Sequence, residues 1–150
     1  MISKLSEGGN LLSNKIKQAV EDLKIRYNTN NPFEICEQMD INVNQIKTNP
    51  SFKAFFAYAS GDYPFITINR NYMEKSKQIL CAHELGHIVL GHKGVNNFEA
   101  DDLDAEREAN LFALYMLFDE SEFDIKFENM SNYLITVSYT HLTLPTTYTV

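Results

Sequence analysis

At 150 residues, 44% of them hydrophobic with 10 Phe and 8 Tyr, the chain suffices for one domain with a sizeable core, which excludes an intrinsically disordered protein. Lys+Arg 13 against Asp+Glu 20 leave a net charge of −7, which repels phosphate backbones and excludes nucleic acid as the expected direct ligand in favour of a protein partner. The opening MISKLSEGGN lacks the apolar run of a secretory leader and no segment approaches membrane-spanning length, so a cytoplasmic protein is expected.

Apolar residues at Leu12, Ile16, Val20, Leu23 and Tyr27 recur with helical spacing, predicting a first amphipathic helix from Asn10 to about Tyr27. Pro32 suits the first turn of a short second helix, with Phe33, Cys36 and Met39 on one side. Cys36 and Cys81, too few for a disulfide framework and not a CxxC pair, are expected as buried reduced thiols. Val43 to Lys47, Phe52 to Ala59 and Phe65 to Asn69 read as strands, the last two joined in a hairpin across Gly61. Asn71 with Glu74 resembles a capping box ahead of a long helix over 73–90, which Gly91 and Gly94 can stop. Asp101 and Asp102 suit the positive start of a further helix running to about Phe118. The expected fold class is therefore α+β, a small antiparallel sheet packed against helices.

A domain over 1–125 is followed by a poorly defined tail over 126–150. From about 137 that tail turns Thr-rich and uncharged and reads as non-native, so His141 is given no weight as a ligand.

His83-Glu84-Leu85-Gly86-His87 is an H-E-x-x-H motif. On a helix its two imidazoles stack on one face and can reach one zinc ion, while Glu84 projects beside the water that fills an open position. A third ligand must come from elsewhere. The metzincin pattern would place Gly at 90 and His at 93, whereas the chain has Leu90 and Lys93, with Gly91 and His92 out of register. Glu106 is preferred, because the residues between it and His87 allow a turn and an antiparallel return on the next helix. Glu108 is rotated by ~200° from Glu106 and is expected to point away as a solvated carboxylate. Asn110 shares the face of Glu106 and can orient a zinc-bound histidine, and Ala109 and Ala113 are small enough to let the two helices approach closely.

The segments HELGHIVLGH at 83–92 and EREANLFALYML at 106–117, with NPFEICEQMDINV and FITINRNYMEKSKQILCAHELGH upstream, resemble the ImmA/IrrE family of small zinc metallopeptidases over roughly residues 10–120. The resemblance implies His83, His87 and Glu106 as zinc ligands, Glu84 as catalytic acid–base and Asn110 as a supporting residue, in a zincin-like site. It also implies cleavage or inactivation of helix-turn-helix repressors encoded on phages and mobile elements. The family continues its second motif into a Leu-rich stretch ending in Pro, whereas here Asp119 follows Phe118, so the C-terminal wall of the cleft is expected to differ.

The expected function is thus zinc-dependent peptide-bond hydrolysis in a regulatory protein. A non-catalytic, zinc-stabilised regulator that binds a repressor or toxin is the alternative. Tyr58, Tyr63 and Tyr72 are available as oxyanion donors without a choice among them, and the strand at 65–69 is a candidate edge for pairing with an extended substrate.

Overall fold

The computed structural model describes residues 2–93 and 103–131, with side chains from residue 11 onward. Four helices and a three-stranded sheet follow one another as α1 (Ile2–Tyr27), α2 (Pro32–Gln38), β1 (Asn42–Ile46), β2 (Ala54–Ala59), β3 (Tyr63–Asn69), α3 (Glu74–Val89) and α4 (Leu103–Leu117). The fold is α+β. The expected loop through Asn97, the carboxylates of Asp101 and Asp102, the tail from 137 and His141 lie outside the described residues.

Helix α1 begins earlier than its amphipathic period, running through Gly8 and Gly9. Once a helix is nucleated, extending it over poor formers costs about 1 kcal/mol per glycine, not the larger price of a new start. Ile16 and Val20 are fully buried, as the spacing requires. Asn31 caps α2 by accepting from the Phe33 amide, and Pro32 occupies the first turn, where its missing N–H costs nothing.

The sheet has the order β1-β3-β2 and is mixed: β3 pairs antiparallel with β2 and parallel with β1. The hairpin across Gly61 forms as expected, with Gly61 at φ 89° and Asp62 at φ 62°. The parallel pair follows from the connection between β1 and β2, whose residues 47–53 span about two strand widths, roughly 10 Å, and leave a slot that β3 fills. Asn69, fully buried at the end of β3, locks that connection: its Nδ2 donates to the carbonyls of Thr48, Asn49 and Phe52 at 3.4, 3.0 and 2.9 Å. Because β3 is central, with hydrogen-bonded neighbours on both sides, the expectation that residues 65–69 offer a free edge for a substrate is corrected. The outer strands are β1 and β2.

The expected capping box at Asn71 does not form either. Met73 occupies the N-cap of α3 without a side-chain hydrogen bond, Nδ2 of Asn71 donates to the Thr48 carbonyl at 3.1 Å, and Glu74 pairs with Lys77 at 2.8 Å. The Asn71 side chain is drawn off to the long connection between β1 and β2.

Helices α3 and α4 pack on each other more extensively than any other pair of helices. Gly86 permits this contact: a Cβ there would meet Cδ1 and Cβ of Phe112 at 2.9 and 3.0 Å. Ala109 and Ala113 are both fully buried. Beyond α4, Asp119 caps a short 3-10 turn, and Phe118, Phe123 and Phe127 meet edge-to-face at 6.3 and 5.1 Å. The Arg107 guanidinium donates to the carbonyls of Glu128 and Met130, and Phe127 is fully buried, so packing continues past the expected boundary at residue 125. This aromatic and Arg-clamped segment follows Phe118 at the point where the sequence was expected to depart from the Leu-rich stretch of the family pattern.

Candidate metal centre

The C-terminal half of α3 carries His83, Glu84 and His87, whose ligand-type atoms all lie within 4.8 Å of one another, the one such group among the described residues. The four-residue spacing stacks the two rings, 4.7 Å between centroids and nearly perpendicular, with their Nε2 atoms 3.1 Å apart. Glu106, near the start of α4, reaches across with Oε2 3.0 Å from His83 Nε2 and Oε1 3.0 Å from His87 Nε2. Glu84 shares the neighbourhood, but it is the Glu106 carboxylate that bridges the imidazoles. Donors held at about 2.0–2.1 Å around one tetrahedral ion sit about 3.3 Å apart. The triangle of two imidazole nitrogens and a carboxylate thus has the size and chemistry of a face that could hold a divalent cation.

Each ring is further anchored. The Phe56 ring of β2 stacks on His87 at 4.8 Å and 17°, so the sheet holds the plane of that imidazole. Asn110 hydrogen-bonds His83, a contact that favours the protonated imidazole. Of the three tyrosines, Tyr72 donates its hydroxyl to the Pro50 carbonyl at 2.6 Å and Tyr63 is 70% exposed. Tyr58 shares the face of β2 with Phe56, the face that meets His87.

Electrostatically the cluster is polarised. Burial pushes Glu84 up to about 7, the His83 charge opposing and Glu106 reinforcing the rise, and its Oε2 is the one buried side-chain N or O atom without a hydrogen-bond partner among the described residues. Hydrogen bonds from His83 and His87 hold Glu106 far below the ordinary carboxylate range, against the effect of burial. Burial lowers both imidazoles. For His83 the contacts with Glu106, Glu84 and Asn110 outweigh it and the net shift is upward, while His87, beside His83 and His92, stays lowered.

Two residues act otherwise than the sequence suggests. Glu108 is absent from the triangle, as expected, yet it is no solvated carboxylate: its side chain is 25% exposed and Oε1 lies 3.0 Å from His92 Nε2. His92 in turn places Nδ1 2.8 Å from Nδ1 of His87, on the side of that ring facing away from Glu106. Its position outside the metzincin register is what puts it there. Gly91, at φ 77°, ends α3 in a left-handed turn in which the His92 amide bonds the His87 carbonyl at 2.8 Å and the Gly91 amide bonds that of Ile88 at 3.2 Å. The Gly91-His92 pair after the motif is the trace of this arrangement in the sequence: a left-handed glycine returns the next side chain toward the last turn of the helix.

A profile of the peptidase M78 family, described as the IrrE N-terminal-like domain, matches residues 36–150. The chain belongs to this family of peptidases. It is also 34% identical over 110 residues to the uncharacterized immunity region protein 2 of Bacillus phage phi105, an alignment covering 68% of this chain and 67% of that protein. No solved structure matches. No helix among the described residues is long and apolar enough to cross a membrane.

Proposed function

We propose that this protein is a zinc-dependent endopeptidase that hydrolyses a peptide bond in a regulatory protein, a helix-turn-helix repressor of a phage or mobile element. The observation that carries the reading is the pairing of a three-donor triangle with a buried carboxylate whose Oε2 has no partner. A purely structural metal site closes its coordination with protein ligands and has no use for a fourth, unpaired acidic group beside it. Membership of a peptidase family supports the reaction class, and the phage immunity-region relative supports the substrate class.

In this reading His83 Nε2, His87 Nε2 and the Glu106 carboxylate would hold the ion, and a zinc ion so bound would supply a water acidified toward neutrality and a Lewis acid for the scissile carbonyl. Glu84 would take the proton of the attacking water at Oε2 and deliver it to the amine released as the C–N bond breaks. Burial sets it near neutrality, where a group both accepts and returns a proton readily. Beside a divalent cation it is held in the ionised, basic form at pH 7. Asn110 and Phe56 keep the two rings aimed at the triangle.

The test is cleavage of the cognate repressor by the purified zinc-loaded protein, followed by mass spectrometry of the fragments. Glu84→Gln is expected to lower the cleavage rate by roughly 10²–10⁴-fold while zinc stays bound at one equivalent. Cleavage at the normal rate by that variant sinks the mechanism. Repressor inactivation through a stable complex, without fragments and undiminished by Glu84→Gln, replaces it with a non-catalytic regulator.

A further inference from the structure

Behind His87, on the side away from Glu106, three groups lie in line. His87 Nδ1 is 2.8 Å from His92 Nδ1, and His92 Nε2 is 3.0 Å from Glu108 Oε1. We infer that His92 and Glu108 are positioning residues, which fix the tautomer and the ring orientation of His87 for cation binding through a histidine-to-histidine relay. The inference rests on the proposed ligand role of His87.

Only one placement of protons satisfies the chain. A neutral imidazole that gives its Nε2 lone pair to a cation carries its proton at Nδ1. That proton points at His92 Nδ1, which must then be the accepting nitrogen, so His92 carries its own proton at Nε2. The Nε2–H points in turn at Glu108, and a carboxylate can only accept. Every donor meets an acceptor, and the negative end of the chain lies furthest from the ion, where it raises the basicity of the His87 nitrogen facing the triangle.

The geometry behind the relay is specific. Glu108 is turned away from the triangle, so it reaches His87 only because the left-handed turn at Gly91 folds His92 back between them. The side chain of His92 is 13% exposed and that of Glu108 25%, so water competes weakly for these contacts. Stacking on Phe56 restricts the plane of the His87 ring, and the relay selects which of its edges faces the triangle. Helix α4 therefore supplies Glu106 to the triangle directly, Asn110 to His83, and Glu108 to His87 through one intervening imidazole.

The experiment compares the full-length wild-type protein with His92→Ala, His92→Asn and Glu108→Ala. Zinc affinity is measured by competition with a chromophoric chelator, folding by circular dichroism, and the relay by NMR of the zinc-loaded, ¹⁵N-histidine-labelled protein. His92→Ala and Glu108→Ala are expected to bind zinc roughly 10–100-fold more weakly with unchanged helix content. His92→Asn, whose amide oxygen can accept from His87 Nδ1–H while its NH₂ faces Glu108, is expected to recover part of the loss. In the wild type, the His87 Nδ1 proton is expected to be protected from exchange and to show a nitrogen–nitrogen coupling to His92 Nδ1 across the hydrogen bond.

Wild-type zinc affinity in both alanine variants, or absence of that coupling in the zinc-loaded protein, overturns the relay. Intact affinity differences in a protein that cleaves nothing would remove the peptidase reading and leave the relay standing. A wild-type protein that binds no zinc removes both.

Discussion

Replacing Glu84 by glutamine in the metal-free protein isolates the energetic cost of the buried carboxyl. Burial raises its pKa from 4.5 to about 7, so the folded state holds this proton more tightly than the unfolded chain does. The stability it contributes is fully present below pH 4.5 and is lost as the pH rises through 7. At about 1.4 kcal/mol per pH unit of displacement, ionised Glu84 costs the metal-free fold about 3 kcal/mol above pH 7. The side chain is almost fully buried, so solvent screening removes little of this. Glutamine keeps the shape without the charge. Its new NH₂ group needs a partner and costs about 1–3 kcal/mol, but equally at every pH.

The quantity to measure is therefore the pH dependence. In urea unfolding of chelator-treated protein, the variant is expected to gain about 2.5 kcal/mol on the wild type between pH 5 and pH 8, corresponding to about 5–10 °C in Tm for a chain of this size. Glu106 works in the opposite sense, losing its contribution as the pH falls below 4.5, and it is common to both proteins. Parallel curves for wild type and variant from pH 5 to 8 would refute the assignment of a desolvated, uncompensated carboxyl at this position.

Two substitutions and one labelling experiment probe the frame around the site. Gly86→Ala drives a Cβ into Phe112 and is expected to cost about 1–3 kcal/mol, with weaker zinc binding as α4 and Glu106 are pushed off α3; unchanged stability and affinity would show that the helices have slack. Asn69→Ala leaves the carbonyls of Thr48, Asn49 and Phe52 without their shared donor and should cost about 1–3 kcal/mol in urea unfolding, whereas a neutral effect would mean that the connection is held by other contacts. Cys36 and Cys81, fully buried with sulfurs 3.9 Å apart, should resist a disulfide reagent until the protein is unfolded, since the hydrogen bond with Cys36 and burial push the Cys81 thiol well up. Rapid labelling of the native protein would contradict that placement.

Features set by short-range chemistry were readable from the chain alone. The period of Leu12, Ile16 and Val20 announces α1, Asn31-Pro32 starts α2, Ser60-Gly61-Asp62 turns the hairpin, and the spacing of His83 and His87 stacks two imidazoles on one face. Each depends on residues within a turn or two of one another, where backbone geometry leaves few options. The return of Glu106 toward His83 and His87 is also suggested by the chain alone, because the residues between His87 and Glu106 are enough for a turn and an antiparallel return on the next helix.

Tertiary structure decided the rest. Whether residues 65–69 form an edge or the middle of the sheet depends on how far the connection from β1 to β2 reaches, and no local pattern encodes that distance. Glu108 looked like surface in a helical projection and became a partner of His92 only when Gly91 turned the chain back. The sequence by itself determined which side chains are candidates to hold a cation and on which helices they ride. Packing of α3 against α4 and the sheet decided which of them meet, because side chains distant in sequence converge only when whole elements bury their apolar faces together.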